Sequence, residues 1–206
     1  MAESSSAAEP KTWFDGLKRP WQKVSTTPGI NTTEFLEASE SLVTLFDLLG
    51  AATFSPVTSD MNGNIKKVRD RYEASPAVSG TLQELVDHES KEKGNKATAT
   101  QGLLWLLRGL DFTAKALRHN VNNPEEELTT SFQHSYDATL KKHHNFVVKG
   151  IFTVALKATP YRAVFYEKLG GSPTLIKKQL GPWLESMEEV VAIMQKNYAD
   201  NKDYGF

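Results

Sequence analysis

The chain has 206 residues, with 24 basic and 25 acidic side chains and a formal net charge of −1. That length suits one domain with a real core, and the balanced charge excludes a global field for nucleic acid or an anionic membrane, although it leaves room for a local basic patch. There is no cysteine, which removes disulfides, thiolate chemistry and sulfur-ligated zinc and suits the cytosol. No run of 18 apolar residues is present, so no membrane-spanning segment is expected.

In chain order, residues 1–10 read as a Ser/Ala/Glu-rich disordered tail without the basic start and apolar stretch of a secretory signal. Residues 11–30 carry Trp13, Phe14 and Trp21 between prolines and are expected as a short helix or loop on the domain surface. A helix capped by Thr32 or Thr33 should follow and end at Gly50. The next runs over about 60–74, because Met61, Ile65, Val68 and Tyr72 recur at the spacing of one helical face. A third is capped near Ser79, and a fourth, strongly apolar one, covers "ATATQGLLWLLRGLDFTAKALRHN". The longest helix is expected within "NPEEELTTSFQHSYDATLKKHHNFVVKGIFTVALKATP", with Tyr136, Leu140, Val147, Val148, Ile151 and Ala155 facing inward. "YRAVFYEKLG" is short. The last helix should kink or break at Gly181-Pro182, before a short terminal "NKDYGF". No alternating strand pattern and no internal repeat occurs. The expectation is all-α, with a tail and surface segment over 1–30 and a single domain over 31–206.

Catalytic signatures are missing. The five histidines form no metal-spaced pair with a carboxylate, and there is no nucleophile elbow and no phosphate loop. The chain is therefore expected not to be an enzyme, and it implies no cofactor and no metal.

Three features stand out. Asp60, Asn64, Lys67 and Arg71 form a polar stripe about 100° around the helix from the apolar one. Gly63 and Asn64 are poor helix-interior choices. Such a stripe is usually a solvated face, but a carboxylate, an amide and a cation within two turns can also hold a polyhydroxylated ligand. Trp105, with Gln101, Arg108 and Gly109 near the same side, is either core or an exposed platform for a sugar or base. Arg108 could be solvated or could pair with the acidic residue of the stripe. His143 and His144 fall between Leu140 and Val147, so one should face the apolar side, as a core histidine or as a polar group in an apolar pocket.

"SDMNGNIKKV", "LLWLLRGL", "LKKHHNFVVKGIFTVALKATPYR" and the terminal tyrosine together resemble the glycolipid transfer protein family over residues 33–206. The pattern Asp-x-x-x-Asn-x-x-Lys is met by Asp60, Asn64 and Lys67, Trp-Leu-x-Arg-Gly-Leu from Trp105 to Leu110, and Lys-Lys-x-His by Lys141, Lys142 and His144. The chain resembles a fungal member. The resemblance implies a two-layer helical sandwich of about eight helices, beside the seven or eight helices expected along the chain. It would take up one glycosphingolipid, whether glucosyl-, galactosyl- or lactosylceramide, and move it between membranes.

By the same resemblance, Asp60, Asn64 and Lys67 would bind sugar hydroxyls, and Trp105 would stack under the first sugar. Asp60 and His144 would satisfy the ceramide amide, and Tyr204 would help close the headgroup site. Phe46, Leu140 and Phe152 would line the chain pocket, and Phe146 would touch the membrane. The protein would be cytoplasmic and peripheral at membranes, with no nucleic-acid partner; no protein partner is implied.

Departures are His143 for an aromatic, Asn145-Phe146 for a Gly-Trp type pair, Ala116 for a bulkier aromatic and Lys157 for an aromatic near the pocket mouth. A related branch grips ceramide-1-phosphate with two arginines where Gln101 and Trp105 stand here. Neutral sugar is therefore favoured. The alternatives are a glycolipid sensor acting through protein partners and a ceramide-1-phosphate carrier.

Overall fold

The computed structural model describes residues 11–201. The expected tail at 1–10 and the expected site residue Tyr204 lie outside the described residues. Among those described there are eight α-helices: α1 (Thr32–Val43), α2 (Leu45–Ala74), α3 (Leu82–Lys93), α4 (Thr98–Asn122), α5 (Leu128–Ala138), α6 (Phe146–Lys157), α7 (Arg162–Lys168) and α8 (Pro173–Asp200). They pack as the two-layer helical sandwich expected. α4 is the central element, touching α2, α3, α5 and α8. It earns that place by composition: Leu103, Leu106, Leu107, Leu110, Phe112 and Leu117 are all essentially buried, spread around an apolar helix too wide to hide one face only.

Boundaries differ from expectation for local reasons. α1 is capped by Asn31, whose side chain accepts from the Glu34 N–H at 3.0 Å, rather than by Thr32 or Thr33. α3 is capped by Thr81, with Glu84 closing a reciprocal capping box, not by Ser79. Gly50 does end a helical run as expected: at φ 125° and ψ 91° it is a non-helical corner between two helical segments that α2 joins, a backbone state that a Cβ would strain. The Gly181-Pro182 break does not occur, because the flanking Leu180, Trp183 and Leu184 are all buried while Pro182 sits on the exposed side of a continuous α8. The first aromatic segment is more than surface cover. Trp21 is 1% exposed, and Trp13 packs edge-on against Trp183 at 5.6 Å.

The expected longest helix is two helices. The Thr139 hydroxyl returns to the Ser135 carbonyl at 2.7 Å, α5 stops, and Asn145 caps a new helix by accepting from the Val148 N–H at 3.0 Å. The interruption resets the helical phase. Tyr136, Leu140 and Ala155 are buried as expected, but Val147 is 67% and Ile151 42% exposed. Of α6, only Ala155 and Leu156 are buried. No single described helix is long and apolar enough to cross a membrane; the α1–α2 pair has the length and composition but bends by 70°.

Candidate functional site

A cavity of about 540 Å³ opens between α2, α4, the α5–α6 connection and the first half of α6, within the range of small-molecule sites. Its polar end is built from three chain segments. α2 supplies Asp60, Asn64 and Lys67, α4 supplies Gln101 and Trp105, and the α5–α6 connection supplies His143, His144 and Asn145. Its apolar end is lined by Val57, Met61, Phe112, Leu140, Val148 and Phe152.

The α2 stripe is a relay. Lys67 Nζ donates to Asn64 Oδ1 at 3.0 Å, and Asn64 Nδ2 donates to Asp60 Oδ2 at 3.1 Å. Asn64 is 2% exposed, so its amide is a fixed spacer in the middle of a helix, where propensity alone would not choose it. Asp60 Oδ1 has no protein partner among the described residues. Although Asp60 reaches solvent, the surrounding wall raises its carboxyl above the usual carboxylate range, with Lys67 opposing. A ligand donor arriving at Oδ1 would replace lost hydration.

The stripe can approach α4 this closely because of Gly102. A Cβ there would come 3.0 Å from Lys67 Cδ and 3.2 Å from Lys67 Cβ. Gly63, the glycine beside Asn64, has open space around it; nothing in the structure explains it. α4 is itself anchored by a buried carboxylate. Glu89 of α3, 1% exposed, accepts from the Thr100 N–H and hydroxyl at 2.7 and 2.8 Å and from the Ala99 N–H at 3.2 Å. These satisfy the orphan donors of the helix start. Gln101 follows directly, and Trp105 stands one turn later on the same side.

Trp105 is half-buried and does not belong to the core cluster. Arg108 lies over its ring at 4.7 Å and makes no ion pair with Asp60. His144 is nearly parallel to the indole at 17° and 6.2 Å, and His143 stands edge-on at 6.1 Å. The break between α5 and α6 is what brings both histidines to this ring. Tyr136 OH and His144 Nδ1 are 3.2 Å apart. With the phenol donating, Nε2–H is left as the free donor of His144. Burial lowers the His144 pKa, with His143 and Lys149 adding to it, which favours the neutral ring that the phenol's donation to Nδ1 requires.

Leu140 and Phe152 thus line the cavity, while Phe46 does not: it is fully buried against Phe54 at 5.6 Å. Ala116 is likewise buried in the core, outside the cavity lining. Phe146 is 90% exposed at the tip of α6. Sequence reasoning missed Gly102, Glu89 and the role of Tyr136. Gly102 and Glu89 act only through a neighbouring helix, and no pattern along one helix reveals that. Among the described residues no cluster of three metal-ligating side chains is present.

Comparison with known proteins identifies the family and the fold. The family model described as glycolipid transfer protein matches residues 30–171. A glycolipid transfer protein of Aureobasidium melanogenum is 55% identical over 184 residues, which is 89% of this chain and 90% of that protein. The crystal structure of HET-C2, a fungal glycolipid transfer protein, aligns with a TM-score of 0.88 at 42% identity over 95% of this chain and 100% of its own. FAPP2, described as selecting simple glycosphingolipids with this fold, aligns with a TM-score of 0.83 at 32% identity over 95% and 97% of the two chains. The chain belongs to the glycolipid transfer protein family.

Proposed function

We propose that the protein binds one glycosphingolipid and carries it between membranes, as a cytoplasmic protein that visits membrane surfaces and catalyses no covalent step. The observation that carries the reading is the pairing of two unused polar atoms, Asp60 Oδ1 and His144 Nε2, on one cavity whose far end is apolar. An amide needs one acceptor and one donor, and these are one of each. The sugar takes the Trp105 ring on its C–H face and the Asp60–Asn64–Lys67 relay on its hydroxyls. The ceramide chains take the side lined by Val57, Leu140 and Phe152. Each buried methylene contributes about 0.8 kcal/mol, which offsets much of the cost of leaving a bilayer.

Gln101 is neutral, so no guanidinium pair stands ready for a phosphate; that favours a sugar headgroup over ceramide-1-phosphate. Glucosyl-, galactosyl- and lactosylceramide are the candidate cargoes. Tyr204 as a closing residue is part of the same proposal, carried by resemblance alone; Phe46, packed on Phe54 outside the cavity wall, is not. The test is Trp105 fluorescence, isolated by replacing the other three tryptophans (four are present) with phenylalanine. Glucosylceramide should quench or shift the emission, and ceramide of the same chain length should do so much less. Equal responses to both would remove the headgroup from the site.

A further inference from the structure

A ring serves best as a platform when its plane is fixed before the ligand arrives. Trp13 is fixed by a hydrogen bond from its indole N–H to the Thr44 hydroxyl at 3.0 Å, and Trp21 and Trp183 are fixed by burial. Trp105 has neither support: it is half-buried, and its indole makes no hydrogen bond among the described residues. Three groups meet its ring. His143 and His144 stand at 6.1 and 6.2 Å between ring centres, and Arg108 is nearer, with its guanidinium carbon 4.7 Å from the ring centre. They approach from different sides. Trp105, both histidines and, one turn before and after, Gln101 and Gly109 line the cavity, whereas Arg108 does not. Residues three apart on a helix are neighbours, so α4 itself presses Arg108 against Trp105. The residue four apart is Gly109, so no side chain from that turn covers the cavity side of the ring. The guanidinium therefore backs the indole on the side away from the cavity. Arg108 has no hydrogen-bonded or acidic partner among the described residues. Burial pulls its pKa down, with Tyr198 opposing, and Tyr198 is itself fastened through its hydroxyl to the Thr100 carbonyl at 2.6 Å. A half-buried cation without a carboxylate is costly, and the indole face is its compensation.

We propose that Arg108 is a positioning residue for the headgroup: its guanidinium braces the outer face of Trp105, so that the opposite face meets an entering sugar with its plane already set. Arg108 acts through the ring and does not touch the sugar. A planar guanidinium stacks on an aromatic face over an area that an ammonium cannot match, so lysine is a partial substitute. Removing the brace weakens glycosylated cargo and spares bare ceramide, whose amide and chains are held elsewhere in the cavity. The inference rests on the reading of Trp105 as the sugar platform, and its test separates the two.

The experiment is fluorine NMR of the full chain labelled with 5-fluorotryptophan, with the Trp105 resonance assigned by its loss in Trp105→Phe, beside binding of glucosylceramide and of ceramide with the same chains. Arg108→Met keeps the length of the side chain without the charge, and Arg108→Lys restores the charge. In the empty protein, Arg108→Met should shift and broaden the Trp105 resonance alone among the four tryptophans. Its affinity for glucosylceramide should fall about three- to thirtyfold, the range that a cation–ring contact covers. Ceramide affinity should stay parental, and Arg108→Lys should fall between parent and Arg108→Met. Equal losses for both lipids, or movement of all the tryptophan resonances, would make the arginine structural and overturn the proposal. A parental resonance and a parental sugar preference in Arg108→Met would overturn it with the platform reading intact. A parent that binds the two lipids alike would remove the platform and the proposal with it. If Arg108→Met does not fold, the parent decides: the Arg108 side-chain protons should resonate upfield of those of a solvated arginine, and ordinary shifts would overturn the brace.

Discussion

Replacing Asp60 with asparagine should suppress glycolipid transfer while leaving the fold intact. The variant keeps the shape and one carbonyl oxygen, which can still accept from Asn64 Nδ2, now at 3.1 Å from Asp60 Oδ2. The other oxygen becomes an NH₂, which cannot accept the ligand's amide proton and sets donor against donor. Losing a hydrogen bond to a charged acceptor and leaving a donor unsatisfied costs roughly 2–4 kcal/mol together, or roughly a 30- to 700-fold weaker complex. Stability should move the other way. Because burial raises the Asp60 pKa, the folded empty protein binds a proton there more tightly than the unfolded chain. Its stability contribution therefore declines as pH rises from the unfolded value towards the folded one, and removing the charge relieves that penalty at neutral pH. The assays are transfer of fluorescent galactosylceramide between vesicles and thermal melting by circular dichroism. Transfer should collapse while melting stays level or rises. Parental transfer by Asp60→Asn would refute the headgroup role, and a melting point lowered by many degrees would make the residue structural instead.

Trp105→Ala should also abolish measurable transfer with little change in melting, because the ring lies outside the core cluster; a large loss of helicity would contradict its placement. Gly102→Ala should push Lys67 away, since the new Cβ would meet Lys67 Cβ at 3.2 Å, and should lower transfer several-fold (about 1 kcal/mol of misplacement) with wild-type helicity. Unchanged transfer would show that α2 need not touch α4 so closely. The empty protein should lose stability as pH falls below the ordinary histidine value of about 6.5, because burial lowers the pKa of both His143 and His144. The stability from keeping them neutral is full above the unfolded pKa and is lost on descent through the folded ones. Urea melts at stepped pH should show this slope, and His144→Gln should flatten it.

Much of this was legible along the chain. Apolar spacing through Met61, Ile65 and Val68 identifies the stripe helix, and the unusual Asn64 in mid-helix marks the polar face. Trp105 stands out by its polar neighbours. What could not be read is where helices interact. The non-helical backbone at Thr139 and the Asn145 cap split an expected continuous helix, and with it went the inward assignment of Val147 and Ile151. Buried neighbours carry α8 through Pro182 although the dipeptide alone signals a break. Glu89 reads as a solvated helix residue until α4 lands on it. Arg108 could not be placed from sequence because its partner is the face of Trp105 rather than a carboxylate.

The most direct test of the carrier reading is vesicle-to-vesicle transfer by the intact protein, with fluorescent galactosylceramide, ceramide-1-phosphate and phosphatidylcholine assayed in parallel. Movement of galactosylceramide alone is the predicted result. Movement of ceramide-1-phosphate would contradict the reading of Gln101 and Trp105 as a neutral headgroup site, and failure to move any of the three would contradict the carrier itself.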